Sequence, residues 1–152
     1  MTCIVPFRSE LAPDFKSLNL EWLEEFFYVE EHDRTLLDDC ENAIIKPGGH
    51  IFFFRDNDET LGTAALIPMD SKSFELGKMG VKKSSRGQGI GQALLGFCIS
   101  IAKLQGYEKL VLYSNRSLEN SLHIYRKFGF EEVPLEQDNP YKRGDIKMEK
   151  LL

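Results

Sequence analysis

The pattern of hydrophobic and polar positions alternates along this chain between two periods, one typical of helices and one typical of strands. Apolar residues recur every three or four positions over about 14–31, 90–105 and 118–129, which predicts three amphipathic helices. Asp14, which follows a proline, is the expected N-cap of the first of them. A short further helix is predicted at 35–40, before a Pro-Gly-Gly break. We therefore expect about four helices.

Shorter segments rich in aromatic and β-branched residues predict the strands. Polar turns after the second and third of these segments indicate antiparallel hairpins. Neither a linker nor a repeat interrupts the pattern, so we expect one domain over 1–152, with an α/β fold and a mixed central sheet of about seven strands. The predicted strands cover 3–8, 50–55, 60–69, 74–81, 108–114, 130–135 and 142–151.

The composition is that of an ordinary globular domain and argues against several classes of function. The 152 residues are 42% hydrophobic and 28% charged, and the formal net charge is -5 at pH 7, which disfavours general nucleic-acid binding. No apolar run approaches the roughly 20 residues of a membrane span, and the N-terminus lacks the pattern of a signal peptide. Cys3, Cys40 and Cys98 are distant in sequence and odd in number, so no disulfide framework is expected. We expect a cytoplasmic protein in which Cys98, on the apolar stripe of its helix, lies in the core.

A glycine-rich loop over 85–91 joins the predicted fourth strand to the helix that follows. It contains Gly87, Gly89 and Gly91. Glycine adopts positive φ easily and lets a ligand approach the backbone, while the first amides of a helix have no partner within the helix. The helix dipole also favours an anion at this end. The loop therefore predicts a phosphate cradle, and the alternative is a turn that only packs the helix against the sheet.

The spacing of these glycines distinguishes between kinds of phosphate loop. Residues 89–92 lack the Lys and Ser/Thr of a P-loop, and no frame fits Gly-x-Gly-x-x-Gly. The pattern Arg-x-x-Gly-x-Gly at Arg86, Gly89 and Gly91 resembles the pyrophosphate loop of the GNAT family of N-acetyltransferases, which bind acetyl-CoA. A second segment, 125–130, resembles the Tyr-x-x-x-Gly-Phe end of a helix in that family. A different kind of nucleotide-binding α/β domain remains an alternative.

The resemblance implies a GNAT-like acyl-CoA N-acyltransferase fold in which the fourth and fifth strands splay apart. The pantetheine arm of acetyl-CoA would insert between 74–81 and 108–114 and bond to the open strand edge as an added strand does. Acetyl-CoA is then the co-substrate, and no metal is expected. The residues implied in coenzyme binding are Met79, Gly80, Val81, Arg86, Gly87, Gln88, Gly89, Ile90, Gly91, Asn115 and Asn120.

Two of these assignments carry alternatives. Many family members have Asn seven residues before the helix Tyr, where this chain has Leu118, so Asn115 or Asn120 is expected to substitute. Arg86 is expected to make a charge-assisted contact with the pyrophosphate. Its alternative is a solvated cation in a basic patch with two neighbouring lysines.

Tyr125 and Glu75 are the candidate catalytic residues. The resemblance places Tyr125 near the coenzyme sulfur, where it would donate a proton to the leaving thiolate; the alternative is a tyrosine that only packs. Glu75 is six residues before Val81, where some family members have a general base, and strand alternation predicts that it shares a face with Met79 and Val81. Alternatively, Glu75 is a strand-end carboxylate paired with a nearby cation. In that case a chain of water molecules would act as the base. The amide near Met79 is the expected donor to the oxyanion.

The function implied is direct transfer of an acetyl group from acetyl-CoA to a primary amine of a small molecule or peptide. The alternative is a non-catalytic acyl-CoA-binding module that acts as a sensor or scaffold. The acidic segment 30–33 is interpreted as a solvated helix end, because no second cluster of His or Cys supports a metal site. The sequence does not determine the oligomeric state, and a homodimer is one of the states it allows.

Overall fold

The computed structural model describes all 152 residues, and its strands form a single seven-stranded sheet in the order β1-β2-β3-β4-β5-β7-β6. The mixed α/β architecture predicted from the sequence is confirmed. The strands are Thr2–Pro6 (β1), His50–Asp56 (β2), Glu59–Pro68 (β3), Ser73–Val81 (β4), Lys109–Ser114 (β5), Glu131–Val133 (β6) and Ile146–Leu151 (β7). The main helices are Ala12–Phe26 (α1), Glu31–Asp38 (α2), Ile90–Leu104 (α3) and Glu119–Lys127 (α4).

The first two helices begin and end at other residues than the pattern predicted. Helix α1 ends at Phe26, because Phe27 leaves helical geometry at φ -144° and ψ -129°. Helix α2 begins at Glu31, after a capping box in which Glu30 and Asp33 each accept a hydrogen bond from the other's backbone amide. The segment 30–33 therefore starts α2 rather than ending α1. Asp14 is not an N-cap, since it lies within the first turn of α1.

The central strands β4 and β5 separate part of the way along their length, as the resemblance implied. Their parallel ladder covers only Ser73–Glu75 against Lys109–Val111. Beyond Glu75, β4 stays paired with β3 on its other side. The edge of β4 that faces β5 therefore leaves its backbone groups open for a ligand.

A β-bulge in β4 lies at this point of separation. Ala65 of β3 pairs with Gly77, whereas Thr63, two residues earlier, pairs with Gly80, so β4 carries one extra residue. Lys78 takes up the extra residue with φ +49°, a left-handed conformation that is unfavourable for a residue with a side chain. Bulges that redirect side chains are common beside active sites.

The bulge reverses the alternation of side chains along β4. Glu75 pairs with Ile67, which packs on the α1/α2 side of the sheet. Met79 and Val81, beyond the bulge, pack against the core on the α3 side. The prediction that Glu75 shares a strand face with Met79 and Val81 is therefore wrong.

Each face of the sheet is covered by its own apolar core. The core under α3 and α4 includes Leu94 and Cys98, and the core under α1 and α2 includes Phe15 and Phe53. Cys98 is fully buried as predicted, and burial raises the pKa of its thiol to about 12, so this thiol is not available as a nucleophile. No helix has both the length and the apolar character that a bilayer crossing requires.

Candidate active site

A narrow cavity of about 100 Å³ opens where β4 and β5 separate. Trp22, Leu23 and Phe27 from the end of α1 form one wall, and Tyr113 of β5 and Tyr141 contribute to the other. Aromatic and apolar side chains therefore supply about half of the lining. The polar groups that reach the space are described below, because they determine its chemistry.

A second and wider cavity of about 350 Å³ lies at the start of α3 and meets the first at Met79 and Tyr125. Gly87 and Gly89 both have φ +81°, and Gly89 is the N-cap of α3 with no side chain capping the helix. The amides of 87–92 donate no hydrogen bond within the protein. Free amides and a helix N-terminus give this end the properties of an anion site.

The predicted coenzyme residues divide into those that line the two cavities and those that do not. A Cβ on Gly80 would lie 3.0 Å from the carbonyl oxygen of Leu18, so this glycine allows α1 to pack closely on β4 rather than lining the space. Gln88 is exposed and lines neither cavity. Those that line the wider cavity are Met79, Val81, Arg86, Gly87, Gly89, Ile90, Gly91 and Asn120.

The two candidate asparagines have different surroundings. Asn115 lines the narrow cavity, but its Nδ2 donates to the carbonyl of Arg143 at 2.7 Å and its Oδ1 accepts from Ser117. Asn120 lines the wider cavity and makes no side-chain hydrogen bond within the protein. Of the two, Asn120 is therefore the one whose amide is free to bind a ligand.

Arg86 lies at the edge of the wider cavity and is not a solvated cation. Its Nε donates to the carbonyl of Val81 at 3.1 Å, and its Nη1 donates to Glu25 of α1 at 2.7 Å. The other nitrogen, Nη2, is buried and has no hydrogen-bond partner. A buried donor without a partner is costly, and this nitrogen is not exposed to the cavity, so Arg86 lines the cradle with a guanidinium that the protein already holds in place.

Tyr125 of α4 lies where the two cavities meet and lines both of them. Its ring packs edge-on against Phe130 at 6.1 Å between centroids, while its hydroxyl makes no hydrogen bond within the protein. Burial raises the pKa of this phenol, so the hydroxyl keeps its proton at neutral pH. Both packing and proton donation are therefore compatible with its position.

Glu75 is the acid that lines the narrow cavity, and its side chain is largely buried. Its Oε2 accepts a hydrogen bond of 2.8 Å from the hydroxyl of Tyr141, and Oε1 accepts none. Burial raises the pKa of Glu75, although the hydrogen bond from Tyr141 and the charges of Lys78 and Arg143 act in the opposite direction. A carboxyl group with a raised pKa is suited to accept a proton near neutral pH.

Gly77 makes room for this carboxyl group. A Cβ at Gly77 would lie 3.0 Å from Oε2 of Glu75, closer than ordinary side-chain contacts. The absence of a side chain at Gly77 therefore leaves the space that the carboxyl group of Glu75 occupies.

A buried cluster of ions lies beside Glu75. Asp33 is fully buried and accepts hydrogen bonds from Lys78 and from both terminal nitrogens of Arg143, at 2.6 and 2.9 Å for the latter. Glu30 accepts from the same guanidinium at 2.9 Å. The prediction of a solvated acidic helix end is therefore wrong for Asp33, because the tail of the chain folds over it.

The electrostatics of this cluster favour the ionised forms of Asp33 and Arg143 but not that of Lys78. Burial alone would raise the pKa of Asp33, but hydrogen bonds and charges from Arg143 and Lys78 outweigh it and lower the pKa. Burial lowers the pKa of Lys78, against the attraction of Asp33. No group of three or more His, Cys, Asp or Glu side chains is arranged to hold a metal ion.

Three polar residues of the site were missed by sequence reasoning. A signal existed for Lys78, since a cation in the middle of a buried strand needs a partner. No local signal marks Tyr141 or Arg143, which lie in an irregular segment before β7. Their partners are separated from them by 66 and 110 positions along the chain, so only the folded structure brings them together.

Replacing Asp33 by asparagine should lower the free energy of unfolding by about 1.5–3 kcal/mol, because two buried cations lose their charged acceptor. The folded-state pKa of Asp33 lies below its ordinary value of 3.8, so this contribution is present above about pH 4 and disappears as the pH falls further. Urea unfolding of both proteins at pH 7 and pH 3 measures the difference. Asp38→Asn, which removes an exposed ion pair with Lys16, is the control and should change little.

Comparison with known proteins agrees with the resemblance drawn from the sequence motifs. The model of the acetyltransferase (GNAT) family matches residues 16–130. Human N-acetyltransferase 8B is 28% identical over 112 residues, which are 70% of this chain and 49% of the human protein, so the chain spans about half the length of the curated relatives it matches.

Two solved structures share the fold at low sequence identity. An acetyltransferase of the GNAT family from Staphylococcus aureus superposes with a TM-score of 0.87 at 19% identity, covering 99% of both chains. PaiA N-acetyltransferase from Thermoplasma acidophilum, in complex with coenzyme A, superposes with a TM-score of 0.78 at 18% identity, covering 100% of this chain and 99% of the other. The fold implied by the two sequence motifs is thus confirmed.

Proposed function

This chain belongs to the GNAT family of acetyltransferases, and we propose that it transfers an acetyl group directly from acetyl-CoA to a primary amine of a small molecule or peptide. Residues 1–152 act together as one N-acetyltransferase domain. The observation that supports this best is the junction of two cavities, one carrying free helix amides and the other a buried carboxyl group, with the hydroxyl of Tyr125 where they meet.

The coenzyme is held by backbone more than by side chains. Its pyrophosphate lies on the amides of 87–91, and Arg86, which lines the same cavity, adds a charge-assisted contact. Its pantetheine arm pairs with the open edge of β4 from Met79 to Val81, as an added strand does. The amide of Asn120 is placed to contribute from α4, whereas Asn115 keeps its bonds to the protein.

Replacing Gly89 by glutamate should weaken acetyl-CoA binding at least about 100-fold, because a carboxylate at the cradle repels the diphosphate. Isothermal titration calorimetry with coenzyme A measures the affinity. Gly106→Glu is the matched control: Gly106 follows the other end of α3, has φ +79° against +81° for Gly89, and likewise has open space within 4 Å of the point that a Cβ would occupy. Equal affinities in the two variants would contradict the cradle.

The reaction assigns one role to each polar group of the junction. Glu75 accepts the proton of the ammonium, and the neutral amine attacks the thioester carbonyl to form a C–N bond. The oxyanion accepts a hydrogen bond from the strand amide near Met79. The intermediate collapses with cleavage of the C–S bond, and Tyr125 donates its proton to the leaving thiolate. The proton lost by the new amide nitrogen returns to Tyr125 through solvent, and Glu75 releases its proton to solvent, so one proton is produced in each turnover.

The acceptor that fits the narrow cavity is a monoamine with an apolar or aromatic substituent. Trp22, Phe27 and Tyr113 supply aromatic walls, and Glu75 is the acid among the lining residues. Lys78 and Arg143 also line the space and would repel a second positive charge on the acceptor. The aromatic walls and the two positive charges together favour an acceptor with a single ammonium group on an apolar body over a polyamine or an aminoglycoside.

Thiol release from acetyl-CoA tests the activity and the acceptor class together. We expect kcat/KM for 2-phenylethylamine to exceed that for spermidine by at least about tenfold. The reason is that a second, desolvated positive charge on the acceptor would lie beside Lys78 and be repelled by it. Preference for spermidine or an aminoglycoside would contradict the acceptor class alone. Tight coenzyme binding with no thiol release on any amine or peptide would favour the acyl-CoA-binding module.

A further inference from the structure

The hydroxyl of Tyr141 contacts the one acid of the narrow cavity, although no step of the proposed reaction requires it. Tyr141 is 5% exposed and its hydroxyl donates to Oε2 of Glu75 at 2.8 Å. The second carboxyl oxygen, Oε1, accepts no hydrogen bond, and it is not one of the fully buried polar atoms that lack a partner. One oxygen of Glu75 is thus held by the protein and the other is left for a ligand.

We propose that Tyr141 is a positioning residue for Glu75, which fixes Oε2 so that Oε1 meets the acceptor amine and which stabilises the ionised carboxylate. The inference rests on the proposed role of Glu75 as the base. It adds a residue from the tail of the chain to a site otherwise built from β4, β5, α1 and α4.

The ring of Tyr141 packs against two cations. The Nζ of Lys78 lies 4.5 Å from the ring centroid, and the guanidinium carbon of Arg143 lies 4.7 Å from it. Both cations are hydrogen-bonded to the fully buried Asp33, and the ring of His32 lies 5.0 Å away. A phenol packed against two cations that are themselves anchored to Asp33 has little freedom to turn its hydroxyl away from Glu75.

The backbone that carries Tyr141 is anchored as well. Glu30, the N-cap of α2, accepts hydrogen bonds from the amides of Lys142 and Arg143 at 2.8 and 3.2 Å. This residue therefore ties the tail segment to α2 directly after Tyr141. The position of the hydroxyl is therefore determined by α2 and the tail together with Lys78 of β4.

The charges around Glu75 give the direction of the effect. Burial and the negative charge of Glu75 raise the pKa of Tyr141 well above its ordinary value, so the phenol stays protonated and remains the donor. A hydrogen bond to the ionised form lowers the pKa of a carboxyl group, so losing this bond should raise the pKa of Glu75. The other titratable or charged groups that face this pair are Lys78, Arg143, Asp33, Tyr113 and His32.

Tyr141→Phe tests the inference through the pH dependence of kcat/KM with an amine that the wild type acetylates. The midpoint of the acid limb should move to higher pH by about one unit, the shift expected from losing one hydrogen bond to a charged group. Tyr113→Phe is the matched control, because Tyr113 lines the same cavity but donates its hydroxyl to Glu136. An unchanged midpoint in Tyr141→Phe, or an equal shift in Tyr113→Phe, would overturn the inference.

A measurement without substrate separates this inference from the proposed function. Carbon-13 NMR titration of the Glu75 carboxyl, assigned by its absence in Glu75→Gln, reports the same pKa directly. If the wild type acetylates no amine but Glu75 titrates about one unit higher in Tyr141→Phe, the proposed function fails and the coupling between the two residues stands. Equal Glu75 pKa values in both proteins overturn the inference whatever the turnover.

A second variant disturbs the hydrogen bond between Tyr141 and Glu75 without altering the tyrosine. Gly77→Ala would place a Cβ 3.0 Å from Oε2 of Glu75 and so crowd that oxygen away from Tyr141. We expect the titration midpoint of Glu75 to rise in this variant too. If Tyr141→Phe does not fold, as judged by circular dichroism, an unchanged Glu75 titration in Gly77→Ala overturns the inference.

Discussion

Glutamine in place of Glu75 should lower kcat/KM for an acceptor amine by roughly 10²–10⁴-fold and leave acetyl-CoA affinity unchanged. A free primary amine with a pKa near 10 is mostly protonated at pH 7 and cannot attack a carbonyl until it loses that proton. Glu75 is the acid that lines the cavity, and glutamine keeps its size while removing its ability to accept the proton. Steady-state thiol release measures the first effect and calorimetry with coenzyme A the second.

The pH profile shows whether Glu75 acts through its charge. The base works as a carboxylate, so wild-type kcat/KM should fall as the pH drops through the pKa of Glu75, which burial raises above its ordinary value of 4.5. This acid limb should be absent in Glu75→Gln. Glu31→Gln is the control, since Glu31 is exposed at the start of α2 and lines neither cavity. If kcat/KM of Glu75→Gln falls by less than about tenfold, a water chain and not Glu75 is the base.

Phenylalanine in place of Tyr125 should reduce kcat by roughly 10²–10⁴-fold, because the leaving thiolate of coenzyme A loses its proton donor. The change removes only a hydroxyl that makes no hydrogen bond within the protein, so stability and coenzyme affinity should be nearly unchanged. Single-turnover thiol release isolates the chemical step from product release. Thermal unfolding of the variant verifies that the packing of the ring against Phe130 is retained.

A tyrosine elsewhere in the fold distinguishes loss of the proton donor from loss of a phenol in general. Tyr107 stacks on Phe74 with ring centroids 3.7 Å apart and lines neither cavity. Tyr107→Phe should therefore keep wild-type turnover. Wild-type turnover in Tyr125→Phe would instead mean that Tyr125 only packs, and that solvent protonates the thiolate.

The helices, the strands and the glycine-rich loop were predictable because their signals are local. The stripe on α3 and the alternation in the strands depend on residues within a few positions of one another. The loop at 85–91 also carries its chemistry in its own backbone, since Gly87 and Gly89 have the positive φ that glycine permits. The position of Tyr125 followed from a short motif in the same way, although its catalytic role remains a prediction.

The errors concern features that local spacing does not encode. Alternation placed Glu75 on the face of Met79, but a bulge at Lys78 shifts the two onto opposite faces of the sheet. Asp33 was expected to be solvated because it is one of several acids in a row, whereas the tail of the chain buries it completely. Neither the extra residue in β4 nor the cover over Asp33 is visible in the local pattern of apolar and polar positions.

The sequence by itself determined the order of the elements, the glycine-rich loop and the family, because helical and strand periods and glycine turns depend on neighbouring residues. Only the tertiary structure decided which groups meet at the reaction centre. Asp33 reaches Lys78 across 45 positions and Tyr141 reaches Glu75 across 66, and such contacts form only when packing brings distant segments together. The surroundings of the proposed base are thus a property of the fold and not of any one stretch of the chain.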